Sequence, residues 1–259
     1  MNSCLLSVAP PPSSPPLHHG AYRIRLAQSE TDVRAAQLLR FLVFNLELRE
    51  GLEDSYHTCL DADPFDAVCD HLLVEDVASG EVVGTYRLQT GIRAGTGRGY
   101  YSEQEFDFAP YESLRPQLLE LGRACIRAEH RSFAVLSRLW QGIVHYARDR
   151  GTRYLIGCSS LASQAPAVGA AAYQLLQPQL VRREFRTRPV ASYDCPLSPL
   201  APDAPAIPKL LGAYLALGAR ICGPPALDRE FKTIDFLTLL DLHDLSARTM
   251  QRWGFTTTA

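Results

Sequence analysis

A chain of 259 residues carrying 26 Lys and Arg against 28 Asp and Glu, for a formal charge of -2, can bury roughly three quarters of its unfolded surface in one large domain or two small ones. With a pI near 6.4 it has no global basic excess, which speaks against nucleic acid as a partner and makes any phosphate site a local one. Seven scattered cysteines, with no C-x-x-C pair and no histidine pair at ligand spacing, read as reduced thiols of a cytoplasmic protein with no metal.

In chain order, residues 1–20 are Pro-rich and lack a basic stretch followed by a long apolar one, so they read as a disordered tail rather than a signal peptide. Residues 21–259 are expected to form a single domain, and no apolar run approaches the ~20 residues that span a bilayer. Alternation at Tyr22, Ile24 and Leu26 predicts a strand, then a Ser29 cap and a helix through Val33, Ala36, Leu39, Leu42 and Val43. A polar loop, EDSYHTCLDADPFDAVCD, leads into a hairpin over 71–90 with a Ser-Gly turn, and residues 99–109 make an aromatic loop. A strand at 118–126, a helix at 136–151 ending on Gly151, a strand at 153–160 and a helix across roughly 163–177 follow. Beyond a Pro-rich connector, 208–218 predicts a short helix, and FKTIDFLTLLDL a strand covered on both faces. The order is mixed α/β.

The stretch LELGRACIRAEHRS, residues 119–132, carries the chemistry. In a regular strand Glu120 and Arg123 point to opposite faces. A β-bulge at Gly122 would bring both to one side and splay the strand from its neighbour, leaving N–H groups free to hold a developing oxyanion. Arg127, His130, Arg131 and Ser132 fall where the next helix begins, a position that favours anions.

At these residues the chain resembles a family. LELGRACIRAEHRSFAVLSRLWQG looks like the central strand, phosphate loop and helix of the Gcn5-related N-acyltransferase superfamily. FLVFNLELRE, DADPFDAVCDHLLV, GTYRL, YYSEQEFDF, LIGCSS and GARICGPPALDREFKTIDFLTLLDL resemble, in order, its ornithine-lipid (hemolysin-like) N-acyltransferase branch. The likeness covers roughly residues 22–245, and a more distant one to acyl-homoserine-lactone synthases covers Arg40, Phe44, Asp63, Asp66, Arg87, Glu120 and Arg123. The fold implied is a mixed, mostly antiparallel sheet with splayed strands between helices.

The reaction implied is transfer of a fatty acyl group, 3-hydroxyacyl in that family, from acyl carrier protein to the α-amine of ornithine, giving lyso-ornithine lipid. No permanently bound cofactor is implied, only an acyl-phosphopantetheine donor on the carrier protein or on coenzyme A. RAEHRS lacks the glycines that cradle a coenzyme A pyrophosphate, which fits a single phosphate held by arginines and a hydroxyl. By resemblance Glu120 is the base and Arg123 orients it or holds a substrate carboxylate; Ile126, Arg127, His130, Arg131 and Ser132 take the phosphopantetheine. Arg40, Asp63, Asp66 and Arg87 take the acceptor.

Each assignment has a plainer counterpart. Glu120 with Arg123 can be a structural ion pair, Asp63 and Asp66 can end a loop or fix Arg40, and Arg127, Arg131 and Ser132 can be a solvated helix start. His71 and Cys158 read as core residues, and Leu136, Leu139, Trp140 and Ile143 as a packed helix face. Arg182, Arg183, Arg186 and Arg188 are either solvated or a landing face for an acidic carrier protein. Met250, Trp253 and Phe255 beside Arg248 and Arg252 either pack on the domain or touch the inner membrane surface. The rival functions are acylation of glycine or another amino acid, a lactone-forming signal synthase, and a silent fold that docks carrier protein or membrane.

Overall fold

In the computed structural model, which describes residues 17–19, 21–201, 203 and 205–253, the chain opens with β1 (Leu17–His19) paired antiparallel to β2 (Tyr22–Leu26). The end of the expected tail is therefore sheet edge, while residues 1–16 lie outside the described part. Ser29 accepts from the Asp32 N–H and starts α1 (Glu30–Phe41), which widens into a π-helical turn over Leu42–Glu47 before the short α2 (Ser55–Thr58). The hairpin forms as β3 (Asp70–Asp76) and β4 (Val82–Thr90), followed by α3 (Gly91–Thr96) and two 3-10 turns, Tyr101–Gln104 and Ala109–Gln117.

Next come β5 (Leu118–Ile126), α4 (Phe133–Asp149), β6 (Tyr154–Leu161) and α5 (Pro166–Leu176). α6 (Lys209–Ala216), β7 (Arg220–Ile221), β8 (Ala226–Asp228), β9 (Thr233–Asp241) and α7 (Ala247–Arg252) complete the described elements. α4 begins three residues before the expected Leu136, because the Ser132 side chain caps the Val135 N–H while Phe133 stays exposed and outside the apolar stripe.

The sheet runs β1-β2-β3-β4-β5-β6-β9-β7, with β8 also paired to β9. Every pairing is antiparallel except β5 with β6. Eight of the nine residues of β9 are buried, as a strand covered on both faces requires. Alternation divides β4: Tyr86 and Leu88 pack with Leu139 and Ile143 of α4, whereas Arg87 turns to the opposite face, where Arg40 of α1 lies.

Two irregularities in β5 make the site. Thr85 pairs with Cys125 and Arg87 with Gly122, so Arg123 and Ala124 together oppose Tyr86. The bulge thus falls one residue after the expected Gly122, and Arg123 itself takes the left-handed conformation, φ 51°. β5 pairs with β6 only across Leu118–Glu120 and Tyr154–Ile156, and then the strands part. Gly157 marks the fork: a β-carbon there would stand 2.2 Å from the Leu121 carbonyl oxygen, so a side chain would collide with the other strand's backbone.

Candidate active site

A cavity of about 250 Å³ occupies this fork. Because it passes between two strands of one sheet, it is lined from both faces. Tyr86, Trp140, Leu155, Leu211, Tyr214 and Leu240 make an apolar half towards α4 and α6, with Tyr86 and Tyr214 sharing a hydroxyl hydrogen bond. Glu120, Arg123, Cys158, Asp228 and Asp235 line the polar half. Trp140, expected only as core, therefore also walls the cavity.

Glu120 is 5% exposed and level with Ile156 at the crotch of the fork. Its Oε2 accepts from the Tyr101 N–H at 2.9 Å; its Oε1 accepts from the Ser102 N–H at 2.8 Å and from the Ser102 hydroxyl. Burial raises its pKa above the ordinary 4.5, against the pull of those donors and of Arg87. A basic, partly desolvated carboxylate beside a cavity is suited to accept a proton.

Among the described residues Glu120 forms no ion pair with Arg123, which corrects the expectation that Arg123 orients it directly. Arg123 instead lies 4.7 Å over the Tyr101 ring and 4.0 Å over that of Phe231. Arg87 sits 5.4 Å from the same Tyr101 ring. Tyr101, whose N–H grips Glu120, is thus the link between the two.

The arginines close a ring. Arg40 reaches Asp61 at 2.8 Å and Asp66 at 2.6 Å; Arg87 reaches Asp66 at 3.1 Å and Asp63 at 2.7 Å. Arg123 reaches Asp63 at 3.0 Å and Asp61 at 3.4 Å. Three cations and three anions alternate in a neutral buried circuit. Burial pushes the Asp63 carboxyl up, but Arg87 and Arg123 outweigh it and hold the group below its ordinary value; Arg40 and Arg87 do the same for Asp66.

Arg40 is fully buried, and Arg40, Asp63 and Asp66 do not line the cavity, so three of the four acceptor-binding residues expected from sequence stand behind the wall and brace it. Only Arg87 and Arg123 of the ring reach the cavity surface. His71, 2% exposed with Nε2 3.1 Å from the Asp66 carbonyl oxygen, is a core histidine as read.

At the far end of β5, Ser132 caps α4, and Arg131 pairs with Glu47 and donates from Nε to the Ile126 carbonyl oxygen at 3.0 Å. Arg127 pairs with Glu81 at 2.8 Å and Glu129 at 3.3 Å, and His130 Nδ1 shares a hydrogen bond with Tyr22. These basic groups are half-exposed at a helix start, where an anion has to displace a carboxylate partner to bind.

Sequence reasoning missed Asp61, Tyr101, Ser102, Glu105 and Asp235. Asp61 was visible as a third acid in DADPFD; the others sit in loops or in a strand whose apolar run hides a buried acid.

Trp253 is buried and stacks on Trp140 at 5.5 Å, and Met250 packs on the same core, so this part of the C-terminal segment packs on the domain; Phe255 lies outside the described residues. Among these residues no helix is long and apolar enough to cross a membrane.

A family model described as an acetyltransferase (GNAT) domain matches residues 39–141. The solved AHL synthase LasI covers 90% of this chain and 94% of its own at a TM-score of 0.52 with 14% identity, a likeness of fold alone. The L-ornithine N(alpha)-acyltransferase of Brucella abortus is 33% identical over 91% of this chain and 89% of its own length. That of Agrobacterium fabrum is 32% identical over 91% and 86%. With identity of that order over nearly the whole length of both chains, the protein belongs to the L-ornithine N(alpha)-acyltransferase family.

Proposed function

We propose that the protein transfers a fatty acyl group from the phosphopantetheine thioester of acyl carrier protein to the α-amine of L-ornithine. The names of its relatives support the acceptor. The observation that carries the reading is the position of Glu120 at the fork, between an apolar half that suits an acyl chain and a polar half that suits an amino acid. Glu120 takes a proton from the acceptor ammonium, directly or through water, since only the neutral amine attacks a thioester carbon. Backbone N–H groups from Ala124 to Ile126, beside the gap left by β6, receive the oxyanion, and the thiolate leaves as the C–S bond breaks. Arg87 and Arg123 face the acceptor carboxylate.

The donor phosphate sits at Ser132 and the start of α4, with Arg127 and Arg131 turning to it from their carboxylate partners and His130 from Tyr22. The missing glycines favour carrier protein over coenzyme A as donor. The exposed Arg182, Arg183, Arg186 and Arg188 offer an acidic carrier a landing face. Leu38, Leu42 and Leu46, exposed along one side of α1 and the π turn, suit a peripheral contact with the cytoplasmic membrane face, into which a single-chain product partitions.

Mass spectrometry of lipids from cells expressing the chain tests this. A new lipid with an ornithine head group is expected, absent with Glu120→Gln; an acyl-glycine, a lactone or no new product would refute it.

A further inference from the structure

The fold neutralises one acidic cluster completely and leaves another open. Each aspartate of the ring has two arginine partners, whereas Glu50, Glu105, Asp228 and Asp235 have no ion pair among the described residues. Glu105 and Asp235 are 1% and 4% exposed and their carboxyl groups adjoin each other, with no donor from a third residue to Glu105 Oε1 or Asp235 Oδ1. An unpartnered buried carboxylate oxygen is costly. Asp235, Asp228 and Glu50 line the cavity, as does Cys158, whose thiol lies 3.6 Å from Glu105 Oε2.

The location is set by sheet register. Glu120 is level with Ile156, Cys158 stands two residues further along the same face of β6, and Asp235 pairs with Ser160 two residues beyond that. Cys158 is thus about 7 Å from the level of Glu120, the reach of a short alkyl chain, and Asp235, about 13 Å along, brings its carboxylate to within 4.8 Å of the Cys158 sulfur. Ligand atoms of Glu105, Cys158 and Asp235 lie within 4.8 Å of one another. Three acceptors around one ammonium nitrogen, each at ~2.8 Å and near tetrahedral angles, are separated by roughly 4.6 Å.

Resting on the acceptor reading above, we infer that Asp235 and Glu105, with Cys158, form the subsite that binds the distal ammonium of a diamino acid and selects it over monoamino acids. Such a site rejects an acceptor lacking that group, because its carboxylates then stay buried and unpaired. Burial, with Asp235 and Asp228 nearby, raises the Glu105 carboxyl well above its ordinary value, and burial likewise carries Asp235 to about 6. The two adjoining carboxyls thus resist carrying two negative charges together, and a bound ammonium relieves that repulsion. The Cys158 thiol, raised by burial and by Glu105, stays protonated and is a poor metal ligand.

The test compares kcat/KM for L-ornithine and for L-norleucine, which has a methyl group where ornithine has its δ-ammonium, with acyl carrier protein as donor. Wild type should prefer ornithine by at least ~100-fold. Asp235→Asn should shrink that ratio roughly 10–100-fold, through the KM for ornithine, and Glu105→Gln by less. Melting curves qualify each variant as folded; the wild-type comparison needs no variant.

Indifference of the wild type, with both amino acids acylated at the α-amine, would overturn this subsite alone, as would a ratio kept by folded Asp235→Asn. Preferential acylation of glycine would overturn the acceptor reading and the subsite together. Activity lost to a chelator and regained with zinc would give the trio to a metal and overturn the inference.

Discussion

Replacing Glu120 with Gln keeps the shape of the side chain and removes the base, and the two consequences differ in size. With its amide oxygen in the Oε1 position, Gln still accepts both Ser102 donors. Its NH2 group then faces the Tyr101 N–H, which at 2.9 Å had donated to Oε2. One buried donor left unmet costs about 1–3 kcal/mol. Removal of a charge that burial already disfavours offsets part of this, so a net loss of about 1–2 kcal/mol is expected. At about 2–4 °C per kcal/mol for a chain of this size, the melting temperature falls by about 3–6 °C. Turnover should fall by roughly 10²–10⁴-fold, or about 3–5 kcal/mol on the barrier. Single-turnover acyl transfer and thermal melting on one preparation separate the two effects. The wild-type rate should drop as pH falls through the raised pKa of Glu120, because only the ionised carboxylate accepts a proton; the Gln variant should lose that limb. A destabilised variant with near-normal turnover per folded molecule would refute Glu120 as the base.

Gly157→Ala drives a β-carbon into the Leu121 carbonyl, so it should cost about 3 kcal/mol and deform the fork, read as a lower melting temperature together with reduced turnover. Arg131→Ala should raise the KM for acyl carrier protein roughly 10–100-fold, more than it lowers kcat; unchanged donor dependence in it and in the Arg127→Ala, Arg131→Ala double variant would remove the phosphate assignment. Asp235, whose pKa rises from 3.8 to about 6 on folding, contributes stability below pH ~4 that is lost as pH rises through 6. Asp235→Asn should therefore be more stable than wild type at pH 8 by about 3 kcal/mol, with the gap narrowing to about 1 kcal/mol at pH 4.5 in calorimetry; a gap independent of pH would count against an ionised Asp235.

The elements with a strong period were legible in the sequence: β2 by its alternation, α4 by its apolar stripe, and β9 by an apolar run too long for a half-covered strand. The two-residue β7, the three-residue β1 and β8 and the π turn at Leu42–Glu47 carry too few residues to show a period. Within the site, a charged pair around a glycine in an apolar strand pointed to a bulge and a fork, and both exist. Its placement was one residue off because glycine is the expected carrier of a left-handed backbone, whereas here two aromatic rings and two aspartates hold Arg123 in that conformation. What holds Glu120 was illegible, since backbone N–H groups of Tyr101 and Ser102 have no sequence signature. Asp235 was hidden for a similar reason: FKTIDFLTLLDL reads as a strand covered on both faces, and nothing in that run shows that its acid meets Glu105 and Cys158 from other elements.

The closed circuit of Arg40, Asp61, Arg123, Asp63, Arg87 and Asp66 has a consequence for how mutants will be interpreted. A loop of alternating charges has no free end, so removing any one member leaves the dry interior with an odd charge and two bereft neighbours. Every single alanine substitution should then abolish activity by unfolding, and a scan would credit all six with chemistry that at most the two facing the cavity perform. Deleting an adjacent cation and anion together, such as Arg40 with Asp66 replaced by apolar residues of similar volume, keeps the interior neutral and should be milder than either change alone. Drift at these positions is thereby confined to paired exchanges, and a lone departure at one of them in a relative should be accompanied by a second at its neighbour in the circuit.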